Sequence, residues 1–176
     1  MKNKSISIKK YILKYGILYG IIGIIFSLLL YLTENYTKQN LLFPSISFFI
    51  TISTIILGLM VYKKNNNGYI SLKEALKIGI GISLLGGLMV ILWKILLTQV
   101  IDPEIITQIE DIQIKRLAEK FPNFTQKNMD QHIAITRKYT SPLALLTIAL
   151  TEHLFLGFLI SLIGGLIIRK KRNPFQ

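Results

Sequence analysis

The chain of 176 residues has no cysteine, which excludes disulfides, thiolate chemistry and cysteine-based metal sites. Its two histidines, His132 and His153, are too few to build a His-rich metal site by themselves. Charged residues make up only 17% of it, against about 25% in a water-soluble domain of this size. There is no glycine-rich phosphate loop and no His-Glu-x-x-His, and no Ser-His-Asp set can be argued from the residue order. These absences predict a protein that is not an enzyme and carries no cofactor or metal. No internal repeat is evident either, because the connections in the two halves differ, and this counts against an inverted-repeat transporter.

The missing charge is replaced by long apolar runs. A hydrocarbon core of roughly 30 Å needs about 20 apolar residues in a helix, and the runs at 15–32, 43–61, 78–97 and 143–168 come to that length. The third holds twelve Ile, Leu or Val residues. They are worth about −4 to −7 kcal/mol of insertion energy, more than the ~3 kcal/mol that Lys94 costs at most. The same reckoning carries the fourth run past Glu152 and His153. The first run follows Lys2, Lys4, Lys9, Lys10 and Lys14 in the manner of a signal peptide. It is too long for one, and Tyr31-Leu32-Thr33-Glu34 is no small-residue cleavage site, so it predicts an uncleaved anchor. The expected fold is all-α: one membrane domain over residues 1–176, with four transmembrane helices and a helical extracytoplasmic hairpin between the third and fourth.

Basic residues set the expected orientation. Lys2, Lys4, Lys9, Lys10, Lys14, Lys63, Lys64, Lys73, Lys77, Arg169, Lys170, Lys171 and Arg172 fall on one side, opposed only by Glu74. The other side has Lys38, Lys115, Arg116, Lys120, Lys127, Arg137 and Lys138, balanced by seven acidic residues. The richer side is expected to be cytoplasmic, with both termini there, in a bacterial inner (cytoplasmic) membrane. The net charge of +12 is thus an orientation device with anionic lipid contact as a by-product, and no nucleic-acid partner is expected. Tyr11, Tyr15 and Tyr62 fall at the inner boundary and Tyr31, Trp93 and Tyr139 near the outer one, as aromatic belts do.

Local signals refine this map. Residues 63–69 are a polar turn, and Ser71-Leu72-Lys73-Glu74 has the spacing of a capping box, which starts the third helix about a turn before the lipid. Pro44 and Pro142 stand near the starts of spans two and four, with Ser141 a candidate cap. In the outer segment 98–141, Asp102-Pro103-Glu104 opens a helix on which Ile105, Ile109 and Ile112 recur. Pro122 closes it and Thr125 caps a second helix reaching about Lys138. This amphipathic pair is expected either to cover the outer mouth of the bundle or to present a surface for a partner or ligand. Asn35-Tyr36-Thr37 and Asn123-Phe124-Thr125 match the glycosylation triplet, a pattern too common to weigh.

Small residues recur at intervals of three and four. Span one has Gly16, Gly20, Gly23 and Ser27; span three has Ala75, Gly79, Ser83 and Gly87; span four has Gly157, Ser161 and Gly165. In lipid such stripes let helix backbones approach, within one bundle or between copies of the chain. Span two offers Ser47, Thr51, Thr54 and Gly58 instead. Lys94, Glu152 and His153 are the intramembrane polar candidates, because polar groups at that depth are expensive. Lys94 shares the stripe of Gly87 and Ser83. It lies about 6 Å from the outer boundary and Glu152 about 13 Å, at 1.5 Å per residue. Helical side chains lean toward their own N-terminus, so on antiparallel helices these two lean toward each other. Three roles stay open: an ion pair fixing helix register, proton or ion handling with His153, or a site for a partner helix.

With the spans placed, the chain resembles the bacterial membrane-protein family called domain of unknown function 4199. The likeness is carried by Gly68-Tyr69-Ile70-Ser71-Leu72-Lys73-Glu74-Ala75, running into the glycine-rich third span, and by Asp102-Pro103 after it. It implies four spans with a helical segment between the third and fourth, over nearly the whole chain, and it assigns no catalytic residue. The expected function is a non-enzymatic accessory or scaffold component of a membrane assembly, in contact with the bilayer and with further copies or another membrane protein. The alternative is a small oligomeric transporter or channel subunit using Lys94, Glu152 and His153.

Overall fold

A computed structural model of the protein describes residues 6–36, 40–121 and 125–170. Lys2, Lys4, Thr37, Lys38, Pro122, Asn123, Phe124, Lys171 and Arg172, to which the sequence assigned roles, lie outside the described residues. The chain is all-helical. Its helices are α1 (Ile8–Leu32), α2 (Leu42–Asn65), α3 (Leu72–Leu96), α4 (Glu104–Lys120), α5 (Gln126–Thr140) and α6 (Pro142–Ile168). Four of them, α1, α2, α3 with its continuation to Ile101, and α6, are long and apolar enough to cross a membrane.

Polar residues at the ends explain where these helices start and stop. At α3, Ser71 Oγ accepts from the Glu74 amide at 3.3 Å, while the Ser71 amide donates to the Glu74 carboxylate at 2.8 Å. This closed capping box satisfies two orphan donors at once. Ser141 caps α6 through the Ala144 amide with Pro142 in the first turn, where its missing N–H costs nothing. Thr125 caps α5 through the Asn128 amide. Lys63 and Lys64 occupy the last turn of α2, where cations suit the helix dipole. The chain then reverses through Asn67 and Gly68, both at positive φ, with 82° at Gly68. Residues Leu97–Ile101 prolong α3 as a wider π-helical turn, the Asp102 amide donating to the Leu97 carbonyl at 2.8 Å.

Helix α3 is the hub, touching α1, α2 and α6. Close approach follows from glycine. A Cβ at Gly16, Gly20 or Gly23 of α1 would run into Leu85, Met89 or Val90 of α3, and one at Gly165 of α6 into Ala75. Gly79 receives Ser161 and Gly157 receives Ser83, a reciprocal lock between α3 and α6.

The solid core occupies one end of the bundle. Tyr11, Tyr15, Ile55, Leu59, Tyr62, Ile70, Ala75, Ile78 and Ile82 are all buried there. At the same end the Asn65 amide donates to Tyr11 Oη at 2.9 Å, and Ile70 pairs with Lys170 as an isolated antiparallel bridge. The start of α1, the α2–α3 connection and the end of α6 therefore share one end. The outside carries Ile25, Leu29, Phe49, Phe155, Ile163 and Ile167 exposed, an apolar surface far beyond that of a soluble monomer.

One expectation needs correcting. Tyr11, Tyr15 and Tyr62 do not form an outward belt; they turn into the core. Tyr11 and Tyr62 pack edge to face with centroids 5.2 Å apart, and Tyr62 Oη donates to Glu74 Oε1 at 2.6 Å. A tyrosine with a half-buried acceptor gains more inside the bundle than at the headgroups, because burial of the ring secures its contact while the hydroxyl keeps a partner.

Candidate functional site

Toward the other end, α1 and α2 line a partly open chamber of about 660 Å³. Tyr19, Gly23, Phe26, Ser27 and Leu30 supply one wall, Phe43, Pro44, Ser47 and Ile50 another. Val90 and Lys94 of α3 and His153 of α6 close the back, and Asn35, Tyr36, Asn40 and Leu41 of the α1–α2 connection lie across the top together with Ile109 of α4. Ile105, also on α4, is buried. The volume falls in the range of about 300–1,000 Å³ typical of small-molecule sites, and the mix of apolar wall and few polar groups is also typical.

A hydrogen-bonded file runs along the chamber floor. Thr51 Oγ1 of α2 donates to Tyr19 Oη of α1 at 3.1 Å, and Tyr19 Oη lies 3.3 Å from His153 Nδ1 of α6. With the imidazole proton on Nε2, Tyr19 donates to Nδ1 and can accept from Thr51, whose one hydroxyl proton is shared with the Ser47 carbonyl 2.9 Å away. Three helices are thereby tied through side chains that an apolar surround makes costly to leave unpaired. His153 rests on Gly87 of α3, and its backbone carbonyl accepts from Ser83 Oγ at 2.5 Å. Gly87 and Ser83 thus seat the histidine, besides serving helix approach.

Lys94 projects between two spaces. It lines the chamber and also a smaller cavity of about 120 Å³ between α3 and α6, where it meets Ile148, Ala149 and Glu152. Many protein atoms surround it, yet its side chain keeps accessible surface. The structure brings Lys94 and Glu152 to one cavity wall, but closes no ion pair between them among the described residues. Glu152 keeps much of its surface exposed and does not line the chamber; His153, its neighbour in sequence, does.

At the rim, the Trp93 indole donates to Ser27 Oγ at 3.2 Å, tying α3 to α1. Tyr36 lines both the chamber and a polar recess with Glu34, Asp102 and Gln108. Its hydroxyl is enclosed and meets no partner in hydrogen-bond geometry. Burial pushes it up to about 12, and the nearby Ser27 hydroxyl offsets only part of that rise.

Sequence reasoning named Lys94, Glu152 and His153 and missed Tyr19, Thr51 and Tyr36. A tyrosine in mid-span, between Gly16 and Gly20, was the available signal for Tyr19. Among the described residues no group of three or more His, Asp or Glu side chains converges as a metal site would require.

An all-helical chain with four helices of membrane-crossing length is the class this architecture defines. Residues 14–170 match the family described as protein of unknown function (DUF4199), and the chain belongs to that family. No curated protein and no solved structure matches it.

Proposed function

We propose that the chain is a multi-pass membrane protein that acts without catalysing a reaction, as an accessory or scaffold component of a membrane assembly. The observation that carries this reading is the interlocked packing of α3 against α1 and α6, in which small residues and hydroxyls are spent on helix contact. Exposed apolar side chains around the bundle favour burial in a bilayer or against another membrane helix. The basic residues near the Tyr11 and Tyr62 end, Lys9, Lys10, Lys14, Lys63, Lys64, Lys73 and Lys77, favour both termini in the cytoplasm of a bacterial inner membrane. Helices α4 and α5 then form an outer hairpin roofing the bundle. Reporter fusions at each terminus test the orientation, and a terminus reporting from outside the cell refutes it. Native co-purification in mild detergent tests the assembly; a chain that remains alone at native expression level speaks against it.

The chamber with Lys94 and His153 supports a second reading, a small transporter or channel subunit. The buried core beneath the chamber counts against conduction through a single bundle, so this reading needs an oligomer. Proton or ion flux in proteoliposomes, lost in Glu152→Gln, would favour it over the scaffold.

A further inference from the structure

The chamber has features beyond the Lys94 and His153 pair on which the transporter reading rests. Its described lining includes one cation, Lys94, and no carboxylate. Glu152 lines only the smaller cavity between α3 and α6, which it shares with Lys94, and makes no ion pair with it among the described residues. Around Lys94 the walls are aromatic and aliphatic, from Phe26, Leu30, Phe43, Ile50 and Val90. Tyr36 adds an enclosed hydroxyl without a partner at the roof. From Tyr19 to Leu30 the wall of α1 rises about 16 Å, at 1.5 Å per residue. The space is mostly apolar and carries one positive charge among its described lining residues.

We propose that this chamber binds a single-chain anionic amphiphile, with its acidic head on the Lys94 ammonium and its apolar chain along the Phe26, Leu30 and Phe43 wall. A carboxylate or phosphate monoester satisfies a lysine in low dielectric by a charge-assisted hydrogen bond, and the chain gains burial that an ion alone would not. A bare inorganic anion leaves the apolar wall unused. The proposal holds whether the bundle scaffolds an assembly or conducts.

The test uses the full chain in nanodiscs of zwitterionic phospholipid, with radiolabelled laurate as probe and empty discs to subtract partition into lipid. Saturable binding of one laurate per chain is expected. Dodecyl phosphate should displace it, identifying the acidic head as the shared requirement, and dodecyltrimethylammonium should not. Lys94→Gln should lower affinity about tenfold or more, and Lys94→Arg should retain it. Glu152→Gln should still bind laurate saturably, since Glu152 does not line the chamber. Ser47→Trp, which adds bulk at a chamber-lining position of α2, should abolish saturation, and it decides the matter if Lys94→Gln fails to fold. Non-saturable uptake, equal displacement by the cationic amphiphile, or unchanged binding in folded Ser47→Trp would overturn the proposal.

Discussion

The imidazole of His153 lies directly on Gly87, so that a Cβ added there would come within 2.5 Å of both Cγ and Cδ2 of the ring. The ring cannot withdraw freely, because Tyr19 holds Nδ1 and Ser83 holds the His153 carbonyl. Glycine at position 87 is therefore a condition for the polar file. Gly87→Ala should destabilise the bundle by about 1–3 kcal/mol, the usual cost of overpacking. Gly164→Ala is the control: its Cβ would meet only the flexible tips of Ile56 and Leu59, so the loss should be much smaller. Thermal unfolding in mild detergent compares them, and equal losses would refute a special seat for the histidine.

Gly79 and Ser161 test the lock between α3 and α6. A Cβ on Gly79 would collide with Cβ of Ser161, and the same relation joins Gly157 to Ser83. Gly79→Ala should destabilise, and adding Ser161→Gly should recover part of the loss, because the second change vacates the space the first one needs. Contacting residues commonly show coupling of about 0.5–3 kcal/mol. A strictly additive double mutant would mean that the two helices do not meet at this pair.

How far all this was legible in the sequence depends on the kind of signal. The membrane-length helices could be read because an apolar run of about 20 residues needs no neighbour to be recognised. Ser71 with Glu74, Ser141 with Pro142, and Thr125 were readable for the same reason: a cap is a contact within one turn. Lys94, Glu152 and His153 were conspicuous as polar residues in greasy surroundings. Which cavity each would face was not legible, since that depends on how α3 and α6 rotate against two further helices. The Thr51–Tyr19–His153 file joins residues from three helices, and no spacing along the chain encodes it. Tyr11, Tyr15 and Tyr62 were misread because a tyrosine near a span end suits the headgroups equally well until an inward acceptor such as Glu74 is known.

Removing the middle of the polar file separates its structural worth from its packing. Tyr19→Phe keeps the ring and deletes the hydroxyl shared by Thr51 and His153. Thr51 loses little, since its hydroxyl also reaches the Ser47 carbonyl at 2.9 Å. His153 Nδ1 loses its partner. Interhelical hydrogen bonds in membranes average about 0.6 kcal/mol, so a modest loss of stability is expected. The sharper readout is nitrogen NMR of the His153 ring, where the Nδ1 resonance should move in Tyr19→Phe and stay in Thr51→Val. A shift of similar size in both would mean that the histidine senses repacking in general.

Tyr36 gives the pH dependence. Burial raises its hydroxyl from 10.0 to about 12 in the folded chain, whereas the unfolded chain keeps the ordinary value. Below pH 10 the group is protonated in both states and its contribution to stability is fully present. Between about 10 and 12 the unfolded state ionises first and binds fewer protons, so stability should fall as pH rises through that window. The thermal midpoint of the wild type should therefore drop more steeply there than that of Tyr36→Phe, which has no proton to lose. Phenolate absorbance supplies an independent check: the wild-type minus Tyr36→Phe difference should titrate near 12 in the native protein and near 10 after denaturation. A native difference curve centred near 10 would mean that the roof of the chamber is open to water and that Tyr36 does not close it.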